Sequence, residues 1–91
     1  MPPVTLTVKA STGEGTKVSI DTSPPVAADS SGEAVFEVMS ETPYTVKASA
    51  TRETQVNGAT LSCKYVAEVF YTTTAHAFQD IEVTLAKVEC T

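Results

Sequence analysis

The sequence has no tryptophan, one histidine, two cysteines and four glycines in 91 residues. It is also poor in positive charge: six Lys and Arg stand against eleven Asp and Glu, a formal net charge of −5. A deficit of that sign argues against nucleic acid as a partner, because binding phosphate needs a basic face. No apolar run approaches the roughly 20 residues that a membrane helix needs, so no membrane insertion is expected. The opening Met1-Pro2-Pro3-Val4 lacks the basic start and apolar stretch of a signal peptide. Met1 can be read as a true start or as the start of a module taken from a longer secreted chain.

The chemistry-bearing residues are equally sparse. His76 stands alone between Ala75 and Ala77, with no nucleophile motif such as Gly-x-Ser-x-Gly to serve. Cys63 and Cys90 form no Cys-x-x-Cys and have no histidine pattern around them, so they match no zinc motif. They read either as a disulfide or as two ordinary thiols, the disulfide being favoured in an exported protein. Asp21, Asp29 and Glu33 flank one proline loop, but their spacing is not that of a calcium loop, and Asp29 reads more simply as a turn cap. Glu33 and Glu37 share the outward face of one strand and read as a solubilising surface rather than a glycosidase pair. The expectation is therefore no enzyme, no cofactor and no metal.

What is present is alternation. With 42% hydrophobic and 19% charged residues the chain is not a disordered one, and its length suits a single domain over residues 1–91. Val4, Leu6 and Val8 alternate with Thr5, Thr7 and Lys9, the period-two pattern of a half-buried strand. Turn signals punctuate the rest: Ser11-Thr12-Gly13-Glu14-Gly15, Thr22-Ser23-Pro24-Pro25, Asp29-Ser30-Ser31-Gly32, Glu41-Thr42-Pro43 and Asn57-Gly58. Strands are expected near 4–10, 16–21, 33–39, 44–51, 60–72 and 80–88, with a further short one near 26–28 or 53–56. Cys63, Val66, Ala67 and Phe70 also fit a helical spacing. The density of Val, Tyr and Phe, the Thr72-Thr73-Thr74 flank and the missing capping box favour a strand there. About seven short strands without a helix predict an antiparallel two-sheet Greek-key sandwich. Its expected core is Leu6, Val8, Val18, Ile20, Phe36, Val38, Val46, Val83 and Leu85. Strands 60–72 and 80–88 are expected to form a hairpin, with Tyr71 near Ile81 and Cys63 near Glu89. A bulge after Leu85 would then bring Cys90 to Cys63.

The opening Val-Thr-Leu-Thr-Val strand, the Glu33-Ala34-Val35-Phe36-Glu37-Val38 strand, Pro43-Tyr44-Thr45-Val46-Lys47-Ala48 and the late Ile81-Glu82-Val83-Thr84-Leu85 together resemble a known group. It is that of the transthyretin-like, carboxypeptidase regulatory-like and related immunoglobulin-like β-sandwich modules. The resemblance spans most of the chain except Thr51 to Thr60, and Thr51-Arg52-Glu53 stands where such modules carry a glycine. It implies a non-catalytic module that spaces, sticks or stiffens, and it carries over no functional residue.

The stretch from Leu61 to Tyr71 holds the main functional clue. Leu61, Tyr65, Val69 and Tyr71 fall on one face of a strand, and Val66 and Phe70 on the other. Both faces cannot be core, so one is surplus apolar surface of the kind that marks a partner contact or a sugar-stacking platform. Val66 and Phe70, with Val88 as a neighbour on the adjoining strand, are the expected interface. The expected role is structural or assembly, as in a virion decoration or tail protein or a cell-surface stalk, with protein (self or a larger assembly) as partner. The alternative is a carbohydrate-binding module, against which stand the missing tryptophan and an aromatic content of 7%.

Overall fold

The computed structural model describes residues 3–13, 15–21 and 23–91, so Glu14 of the first turn, Thr22 of the proline break, Met1 and Pro2 lie outside the described residues. The chain runs as β1 (Pro3–Ala10), β2 (Lys17–Ile20), β3 (Val26–Ala27), β4 (Glu33–Met39), β5 (Pro43–Val56), β6 (Ala59–Thr72), β7 (Phe78–Val83) and β8 (Ala86–Cys90). No described residue is helical. The stretch from Leu61 to Tyr71 is strand, because its partner β5 pairs with it residue by residue from Pro43↔Thr72 to Val56↔Ala59.

The strands form two sheets, ordered β4-β1-β7 and β3-β2-β5-β6-β8. Their inward side chains share one core, an arrangement consistent with a β-sandwich. Leu6, Val8, Ala34 and Val83 come from the smaller sheet, and Val18, Ile20, Val46, Ala48 and Ala50 from the larger. Every one of these obeys the alternation of its strand, since a pleated strand sends successive side chains to opposite faces. Phe36 and Val38 pack against this core but stay partly exposed, because β4 is an edge strand with no neighbour on its far side.

Three features differ from the expectation. The segment expected as one strand over 80–88 is two strands in different sheets. The chain crosses at Thr84-Leu85, with Leu85 buried and its amide donating to Ser11 Oγ at 2.9 Å. As a result β6 and β7 form no hairpin. β7 pairs in parallel with β1 (Val8↔Ile81), so the smaller sheet is mixed rather than antiparallel. Tyr71 lies opposite Tyr44, not Ile81, and Cys63 lies opposite Cys90, not Glu89. Finally, β5 does not stop at residue 51. It continues to Val56 and turns at Asn57-Gly58, whose φ values of 50° and 81° suit a two-residue hairpin turn.

That long hairpin sets the shape. Fourteen residues of extended strand span roughly 46 Å, and the molecule measures 54 × 21 × 19 Å. Its radius of gyration of 14.7 Å exceeds the roughly 12 Å of a compact domain of this length. Glu53 to Thr60 are all exposed, so the end of the hairpin is a two-stranded arm standing clear of the core.

Candidate functional site

The outward face of the five-stranded sheet carries Lys47 and Ser49 from β5, Lys17 and Ser19 from β2, and Lys64, Val66, Glu68 and Phe70 from β6. This follows from the register Lys17↔Ser49↔Val66 and Ser19↔Lys47↔Glu68. Phe70 is 76% exposed, opposite Thr45 of β5 and beyond the Cys63–Val66 stretch that β8 covers. Val66 is half-buried in a shallow depression walled by Lys17, Lys47, Lys64 and Pro25. Lys47 Nζ lies 3.7 Å from Glu68 Oε2, a cross-strand pair on the surface.

Val88 owes its exposure, 55%, to a bulge. Lys87 pairs with Tyr65 and Glu89 with Lys64, which leaves Val88 as the extra residue between them. The register on either side then differs by one, and this brings Cys90 level with Cys63. The two are joined by a disulfide with the Cα atoms 4.0 Å apart, its Cys63 half buried and its Cys90 half exposed. Ser62 and Thr91 exchange two backbone hydrogen bonds just beyond it, at 2.9 and 3.0 Å. The C-terminal strand is therefore fastened to the base of the arm. On the other side of that base, Arg52 Nη2 donates to Thr12 O at 2.7 Å and so ties β5 to the loop after β1.

The tyrosines of β6 turn inward. Tyr65 and Tyr71 pack against the core. The Tyr71 hydroxyl donates to Gln79 Oε1 at 2.7 Å, which links the two sheets. The same oxygen accepts the Thr74 amide at 2.9 Å, while Gln79 Nε2 donates to Thr74 O and His76 O at 2.9 and 2.8 Å. One amide side chain thus folds the loop around His76, which is itself exposed.

The acidic candidates are occupied with backbone. Asp29 Oδ1 accepts from the Ser31 and Glu33 amides at 2.9 and 3.0 Å, and Asp21 Oδ1 from the Thr45 amide at 2.8 Å. Among the described residues no three His, Cys, Asp or Glu gather in a way that could hold a metal ion.

Sequence reasoning missed a second exposed ring. Phe78, 81% exposed, stands on the outward face of β7, with Val35 and Met39 of β4 also exposed on that sheet. The signal was available. Ile81 and Val83 point inward, so Phe78, an odd number of residues from each, points out by the same alternation. No family model, curated protein or solved structure matches this chain.

Proposed function

We propose that this chain is a non-enzymatic structural or assembly module that meets a protein partner, itself or a larger assembly, through the outward face of its five-stranded sheet. The observation that carries the reading is Phe70. A phenyl ring 76% exposed, on a stretch of β6 that is paired with β5 on one side only, gives the fold no core packing and costs solubility. Val66 lies on the same face four residues along β6, with Glu68 between, and Val88 is exposed at the bulge of the next strand. Burying Val66 and Phe70 against a partner would contribute roughly 3–5 kcal/mol before the cost of association is subtracted. That suits a many-copy array, where weak contacts multiply, better than an isolated tight dimer. A virion surface or a cell-surface stalk is such a setting.

The finer fold reading, a Greek-key sandwich of immunoglobulin or transthyretin-like type, belongs to the same proposal. It is supported by Tyr44 at the start of β5, whose hydroxyl accepts the Met39 amide at 2.8 Å, five residues upstream. Immunoglobulin-like sandwiches use a tyrosine near a strand start in the same way, to pin a corner between sheets.

Phe70→Asp tests the function. The expected result is an unchanged far-UV circular dichroism spectrum and thermal midpoint, together with weaker self-association or docking in sedimentation velocity. A variant that associates as the wild type does removes the reading.

A further inference from the structure

The two outward sheet faces differ in charge, one strongly acidic and the other with a small excess of lysine. On the β4-β1-β7 face the register aligns Glu33, Glu37, Asp80 and Glu82 on the outward side, four carboxylates against one ammonium, that of Lys9, among the described residues. On the opposite face, three lysines (Lys17, Lys47, Lys64) surround the Val66 depression against two carboxylates, Glu68 and, across from Lys64, Glu89. Each face spends one pair internally: Lys9–Asp80 at 3.6 Å and Lys47–Glu68 at 3.7 Å. Each face also holds one stranded ring, Phe78 at 81% exposure and Phe70 at 76%.

In a chain of net charge −5, most approaches of one copy to another bring like charge together. Only the docking of one face on the other brings unlike charge together and covers both rings. We propose that the occupant of the Phe70 face is a second copy of this chain, seated by its Phe78 face. The inference rests on the assembly reading above and names its partner. A three-stranded sheet fits within the span of a five-stranded one, and sheets stack face to face at about 10 Å. The contact is heterologous, because each copy uses two different surfaces. It therefore repeats, closing into a ring or growing as a filament. The smaller face offers roughly 300 Å² of flat area, well below the share each partner contributes to a standard stable interface of about 1,600 Å². The association is accordingly weak in solution, seen at high concentration or where copies are already arrayed, and it dissolves as salt screens the charges.

The test is sedimentation velocity from micromolar to millimolar protein, at low salt and in 1 M NaCl. The wild type is expected to form oligomers that grow with concentration and vanish in high salt. Phe70→Asp and Phe78→Asp, each with a wild-type dichroism spectrum, are each expected to be monomeric alone. Mixed in equal amounts they are expected to form dimers and nothing larger, since each retains one intact face. As a second set, Lys17→Glu with Lys64→Glu, or Glu37→Lys with Glu82→Lys, is expected to weaken assembly at least tenfold. Carrying all four changes on one chain restores it. A wild type that stays monomeric at millimolar concentration overturns the proposal. So does assembly that is lost in Phe70→Asp yet unchanged in Phe78→Asp, or that is insensitive to the Glu37 and Glu82 changes. In that last pair of outcomes the Phe70 face remains an assembly surface of another geometry. Assembly unchanged in Phe70→Asp overturns both readings.

Discussion

Cys63 and Cys90 stand directly opposite one another on the β6–β8 ladder because Val88 bulges out of it. Were Val88 paired in regular register after Lys87, Cys63 would face Glu89. The disulfide fastens the last strand at the point where the β5–β6 hairpin leaves the core. It closes a loop across a sequence separation of 27 residues, worth about 3.5 kcal/mol in the chain-entropy estimate. Replacing both cysteines by alanine is therefore expected to lower the guanidinium unfolding free energy by about 3 kcal/mol. Alkylation of the unfolded, unreduced wild type should find no free thiol.

Gly32 is the residue that the Asp29-Ser30-Ser31-Gly32 turn cannot exchange. Its φ is 80°, and a Cβ there would lie 2.8 Å from Gly13 Cα and 3.0 Å from Ala10 O. Both neighbours are backbone, so neither can swing aside. Gly32→Ala is expected to cost at least about 2 kcal/mol, by strain and clash together. Gly58→Ala, also at positive φ but with nothing within 4 Å, should cost only the conformational part, about 1 kcal/mol. Thermal melts of the two variants make the comparison.

Gln79 satisfies four hydrogen bonds at once, to Tyr71, Thr74 twice and His76. Gln79→Ala leaves a half-buried tyrosine hydroxyl and the loop backbone without those partners, at a cost of about 2 kcal/mol. Hydrogen exchange should quicken first at the Thr74 amide, which loses its acceptor. If the loop amides exchange as in the wild type, Gln79 is not what holds the loop.

The arm is expected to be dispensable for folding. Removing Thr54, Gln55, Thr60 and Leu61 deletes two cross-strand pairs, keeps the Asn57-Gly58 turn and preserves the facing of every remaining side chain. Three of the four are exposed and Leu61 is only partly covered, so the loss should stay within about 1 kcal/mol. Denaturant unfolding measures it. A larger loss would mean that the arm packs on the sandwich.

Much of this fold was legible in the residue order. The period of two placed Leu6, Val8, Val18, Ile20, Val46 and Val83 in the core, because side-chain direction in a strand depends on parity alone. The same rule put Val66 and Phe70 on one face of β6 and Tyr65 and Tyr71 on the other. Having just two cysteines left a single intramolecular pairing available. Parity names a face but not a neighbour. That β7 leaves β6 to lie parallel to β1, some seventy residues away, depends on the chain crossing at Leu85 and on which edge is open, both long-range matters. That β5 runs on through Arg52 to Val56 was hidden because a strand outside the core needs no apolar face; its pairing with β6 and the Asn57-Gly58 turn sustain it. Sequence alone decided which side chains face out. Tertiary structure decided which outward faces share a surface, and so set the lysines around Val66 on one side of the molecule and the carboxylates around Phe78 on the other.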